Sequence, residues 1–140
     1  MRLGVLAAAA ALSAGLVLPA AHAAVTQDNF PPKTTADLVA LCTAQKDDPL
    51  ATAALNYCHG FAEGAVEIVL SYSAVGPQSH RPFCLPSPPP THDQAVSEFT
   101  AWANADPQRL QQPAVAGLMG YLIDHYPCPH PAAAYHGKKK

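Results

Sequence analysis

The chain has 140 residues, enough for one domain, with 8 Lys+Arg against 10 Asp+Glu and a formal charge of −2. That near balance argues against a nucleic-acid binder, and 13% charged against 49% hydrophobic residues excludes a collagen, a long coiled coil or a charge-rich disordered chain. Fifteen prolines and four cysteines point instead to a small exported domain stapled by disulfides.

Residues 1–23 read as an address. Arg2 supplies a positive charge, residues 3–18 form an apolar run, and Ala21-His22-Ala23 fits the small-x-small rule for signal peptidase. The run is shorter than the ~20 residues a spanning helix needs, and no cysteine near the cleavage site would support a lipid anchor. Cleavage would leave a chain beginning at Ala24. Its body is acidic, with three of the seven basic residues confined to Lys138, Lys139 and Lys140. No later stretch is apolar enough to cross a membrane, since the best candidate carries Glu63 and Glu67. The expected location is the periplasm.

Residues 24–33 read as an irregular leader that stops at Pro31-Pro32. Thr34 and Asp37 then stand at capping-box spacing, and Leu38, Leu41 and Cys42 fall at i, i+3, i+4, which predicts a short helix over 35–44. Asp48-Pro49 suits an N-cap and first helical position and opens the longest predicted helix, 49–74. Its expected buried stripe is Leu55, Cys58, Phe61, Ala62, Ala65, Ile68, Val69 and Tyr72. Glu63 and Glu67 fall on the opposite, wet side. Gly60 and Gly64 each cost a helix about 1 kcal/mol relative to alanine, so close approach by another element is expected there.

Residues 75–91 hold six prolines and read as one long, stiff loop. Thr91 and Gln94 form a second capping box, followed by an apolar face of Ala95, Val96, Phe99, Trp102 and Ala103. Asp106-Pro107 breaks that helix. Pro113 begins the last one, whose expected core side is Val115, Leu118, Met119, Leu122, Ile123 and Tyr126. Residues 131–140 read as a disordered basic tail. The predicted fold is all-α: a small bundle of four main helices over 34–130, with two disulfides and a proline-rich loop.

Four cysteines allow three pairings, and spacing alone does not choose among them. The helix pattern favours Cys42–Cys58, joining the end of one helix to the start of the next. It likewise favours Cys84–Cys128, joining the loop to the end of the last helix. The rival reading, zinc held by Cys58-His59 and Cys128-Pro129-His130, lacks the ligand spacing of a structural site. No metal and no cofactor is expected. No phosphate loop, dinucleotide fingerprint, metalloprotease or serine-hydrolase motif occurs. Glu63 and Glu67 read as a solvated face, and His59, His80 and His125 have no nucleophile at a recognisable spacing, so an enzyme is not expected.

Cys58-His59-Gly60-Phe61 with Gly64, then Arg81-Pro82-Phe83-Cys84-Leu85-Pro86, then Tyr126-Pro127-Cys128-Pro129 resemble the Rap1a/Tai immunity protein family over 37–129. The resemblance implies a small helical periplasmic protein with disulfides, often dimeric, that binds and blocks a peptidoglycan amidase effector of type VI secretion. It carries over the four cysteines and the two glycines as structural positions, and no catalytic residue. The implied mechanism is occlusion of the effector's cleft by a protruding loop or helix end. The expected contact is the tip of the 75–91 loop, at Gln78, Ser79, His80 and Arg81, because braced exposed loops often carry binding. A small periplasmic stress chaperone or envelope-binding protein is the alternative, for which the histidines would supply a pH response.

Overall fold

The computed structural model describes residues 24–75 and 81–129; residues 1–23, 76–80 and 130–140 lie outside them, and with them the expected signal segment and basic tail. The described residues form five helices and no strand: α1 (Thr35–Cys42), α2 (Ala51–Ala74), α3 (His92–Asn104), α4 (Pro107–Leu110) and α5 (Ala114–His125). Four are substantial. The fifth, α4, is a single turn that sequence reading treats as a break. There Asp106 accepts a bond from the Gln108 N–H (2.8 Å) and Pro107 takes the first turn, so the break is itself a capped helix start.

Both capping boxes form. Thr34 Oγ1 accepts from the Asp37 N–H, and the Asp37 carboxylate accepts from the Thr34 N–H (2.9 Å). Thr91 and Gln94 repeat the arrangement at α3. Asp37 also accepts from the Lys33 N–H and from Asn29 Nδ2. Burial raises its pKa, but the hydrogen bonds from Thr34, Asn29 and Lys33 outweigh that and hold it below the usual aspartate value.

Residues 24–33 hold no regular element beyond a 3-10 turn at Gln27–Asn29, yet they pack on the body: Val25 is buried, and Phe30 meets Tyr57 edge-on at 5.5 Å. Asp48 helps to hold them there. Its Oδ2 accepts from the Val25 N–H and its Oδ1 from the Leu50 N–H, both at 2.8 Å. That carboxylate shapes a turn and pins the leader, so it does not cap α2, which starts later, at Ala51 after Leu50.

The core gathers Leu38 and Leu41 of α1, Ala54 and Cys58 of α2, Phe83 of the loop, Phe99 and Ala103 of α3, and Leu118, Tyr121 and Leu122 of α5. The starts of α1 and α5 are tied by the Thr35 N–H to the Gln112 carbonyl (2.8 Å) and the Ala114 N–H to the Lys33 carbonyl (3.1 Å). Both expected disulfides are present, Cys42–Cys58 and Cys84–Cys128.

Three core expectations are corrected. Ile68 and Tyr72 are 70% and 82% exposed. The reason is the side of the helix they occupy: Ala65, Val66, Val69 and Leu70 pack on the core and Ser73 is buried, while Ile68 and Tyr72 sit on an adjacent side of the same turns. Val115 and Ile123 of α5 are exposed, and Tyr121, absent from the expected core side, is the largest fully buried side chain. Among the described residues nothing makes the close approach expected at Gly60 and Gly64, since a Cβ built on either meets nothing within 4 Å. The close-packed glycines are on α5. A Cβ on Gly117 would stand 2.7 Å from Thr35 Cγ2, and one on Gly120 3.2 Å from the Trp102 ring.

Candidate functional site

Two surface features stand out. The first is an exposed face of α2. Tyr57, Ile68, Tyr72 and Val75 are exposed along it. Positions 57, 64, 68, 72 and 75 fall on one side of a 3.6-residue helix, so the apolar groups share a stripe with Gly64. The opposite side packs on the body as far as Ser73, which is buried. The end of α2 leads directly into the 75–91 loop. Beyond residues 76–80, the loop re-enters the body through Phe83, which is buried, and Cys84, whose N–H donates to the Tyr126 carbonyl (2.7 Å).

Of the four loop-tip residues expected to contact a partner, Gln78, Ser79 and His80 lie outside the described residues. Arg81 does not belong to a tip: it is half-buried at the base of the loop, with its Nε enclosed.

The second feature is a groove of about 380 Å³ between α2 and α3. Its floor is apolar, made by Leu38, Phe99, Leu118, Tyr121 and Leu122. Leu85, Pro89 and Pro90 of the proline-rich loop form one wall. Among the described residues that line the groove, the carboxylates are Glu63 and Glu67 on α2, and there is no lysine or arginine. Sequence reading placed both glutamates on a plain solvated face. They are exposed, yet they also form the lip of this groove.

Histidine lines the same lip. His92 Nε2 lies 3.0 Å from Glu63 Oε1, and the His59 and His92 rings are 5.4 Å apart. Both members of the His92–Glu63 pair are more than half exposed, so the pair is worth ~0–1 kcal/mol. Among the described residues no group of three His, Cys, Asp or Glu side chains is placed to hold a metal ion.

Below the floor, Tyr121 and Tyr126 both donate to Glu98 Oε2, at 3.0 and 3.1 Å, with their own hydroxyls 3.2 Å apart. Burial raises the Tyr121 pKa far above the usual phenol value, and the bonds to Tyr126 and Glu98 add to it. Burial also raises Tyr126, with Tyr121 pulling the other way and Glu98 reinforcing. Both phenols therefore stay protonated as donors, which makes them a brace and not a pair of bases. Sequence periodicity missed this triad because Glu98 and Tyr121 are 23 residues apart.

All four cysteines are oxidised and the buried phenols are locked. What the surface offers is shape, apolar area and an acidic lip, the equipment of a binding protein. A family model described as Rap1a immunity proteins matches residues 34–128, most of the chain, and the chain belongs to that family. No curated protein and no solved structure matches it. No helix among the described residues is long and apolar enough to cross a membrane.

Proposed function

We propose that this protein is a periplasmic immunity protein that binds and inhibits a peptidoglycan amidase effector of type VI secretion, without chemistry of its own. Family membership supports immunity against a secreted effector. The two disulfides and the signal-like pattern of residues 1–23 support action in an oxidising compartment.

The observation that carries the reading is the exposed apolar face of α2. Ile68, Tyr72 and Val75 are large, apolar and exposed on a helix whose base is held by Cys42–Cys58 and whose other side packs on the core. A face held on a rigid helix loses little freedom on docking, and clustered large side chains supply most of the binding energy in typical interfaces. Such a face suits docking over the mouth of a cleft, with the 75–91 loop beside it as a second contact.

The test is recovery of a partner by residues 24–140 from a periplasmic extract, followed by a peptidoglycan-cleavage assay. A wall amidase should be recovered and blocked at equimolar inhibitor. The double change Ile68→Asp and Tyr72→Asp should weaken that block by about tenfold or more, since each removes a candidate anchor. Recovery of no wall hydrolase would overturn the immunity reading. An amidase blocked equally well by the double variant would leave immunity standing and remove this face of α2 from it.

A further inference from the structure

The groove between α2 and α3 is apolar within and acidic at its lip, and no other described element fills it. We propose that it is the seat of the chain's own tail, with Tyr135 in the groove and Lys138–Lys140 against Glu63 and Glu67.

Three observations carry this. The first is where the tail begins. The described chain ends at Pro129, one residue after the Cys84–Cys128 disulfide and three after Tyr126. Tyr126 is itself a groove residue, and Leu85, next to Cys84, is part of the wall. The tail is thus rooted beside the groove by a covalent bond. The second is reach. Tyr135 lies nine residues beyond Tyr126, a span of up to roughly 30 Å when extended, whereas packed helices are separated by about 10 Å. The third is chemistry in order along the chain. Pro131-Ala132-Ala133-Ala134-Tyr135 is uncharged and ends in an aromatic ring; His136-Gly137 follows, then three lysines. The groove has the complementary arrangement: an apolar floor, two carboxylates one helical turn apart, and no basic Lys or Arg to repel the cations. Of the titratable groups facing it, His59 and His92 share the lip, and Glu63 is already shared with His92. Glu67 is therefore the principal partner for the lysines. From composition alone this tail reads as solvated. The groove, invisible in the sequence, is what gives it somewhere to go.

The experiment is NMR on the chain 24–140 with labelled methyl groups. Nuclear Overhauser contacts are expected from the Tyr135 ring to the methyls of Val66, Val96 or Leu118, and Tyr135→Ala, which removes them, identifies the ring. They should persist unchanged on tenfold dilution, and Glu63→Gln with Glu67→Gln should reduce them by half or more. Absence of these contacts overturns the proposal. Contacts that fade on dilution also overturn it, because a second copy's tail would then be the occupant. Contacts unaffected by the glutamate changes would overturn the assignment of the lysines to the lip. None of these readouts depends on an effector.

Discussion

Gly117 of α5 lies flat against Thr35 of α1: a Cβ on this glycine would come within 2.9 Å of Thr35 Cβ. Thr35 is fully buried, and its hydroxyl donates to the Gln112 carbonyl at 3.2 Å, so it has nowhere to move. Gly117→Ala should therefore destabilise the fold by about 1–3 kcal/mol, the usual range for overpacking. Gly60→Ala and Gly64→Ala should do the reverse. Each lies in an exposed stretch of helix with open space where the new methyl would go, so each should add about 0.5–1 kcal/mol. Urea unfolding of the three single variants checks the opposite signs.

The two disulfides should differ in what they contribute. They close sequence separations of 16 and 44 residues. In the chain-entropy model these correspond to roughly 3 and 4 kcal/mol. Paired Cys→Ser replacements, Cys42/Cys58 in one protein and Cys84/Cys128 in another, should lower the urea midpoint in both, and more in the second. Equal midpoints in wild type and either variant would contradict the expectation.

Acid should loosen the start of α1. The Asp37 carboxyl is held below its ordinary pKa, so its ionised form favours the fold. That contribution is present above the unfolded-state value near 3.8 and is lost as pH falls through the lower, folded value. Asp37→Asn should reduce stability at neutral pH, because one acceptor oxygen replaces two. It should also flatten the dependence of stability on pH below about 4. Thermal unfolding from pH 2 to 7 reads both effects.

Alkali should act on the other side of the core. Tyr121 and Tyr126 have raised pKa values, so their neutral forms favour the fold. Their contribution is complete below the unfolded value near 10 and declines as pH climbs above it. The double variant Tyr121→Phe/Tyr126→Phe should lose about 1 kcal/mol or more at neutral pH, through the bonds to Glu98, and should no longer weaken steeply above pH 10. Ultraviolet titration of wild type should find the buried Tyr121 phenol ionising only with unfolding.

Local chemistry was the legible part of this fold. Thr34 with Asp37 and Thr91 with Gln94 are complete instructions within four residues, and both boxes form. The sulfur pairing followed from helix ends, which local pattern also supplies. What periodicity does not contain is which side of an apolar helix the neighbours reach. It marks Ile68 and Tyr72 as members of an apolar stripe but does not reveal that the core meets the side bearing Ala65, Val66, Val69 and Leu70. The same limit applies to glycine, where Gly60 and Gly117 cost a helix alike and only a distant Thr35 distinguishes them. Asp48 looked like a cap because a proline follows it, yet Val25, far upstream, claims half of its carboxylate. The groove was illegible for the same reason, being assembled from α1, α2, α3, α5 and the loop.

The two cystines enclose separate, non-overlapping rings, 42–58 and 84–128. A single peptide cleavage inside either ring, at Arg109 for example, would leave every piece covalently attached. Only residues 59–83 of the span between the outermost cysteines lack this insurance. Ile68, Tyr72 and Val75 fall within that interval, so the segment proposed to meet a partner is also where one protease cut would sever the molecule into two unlinked fragments.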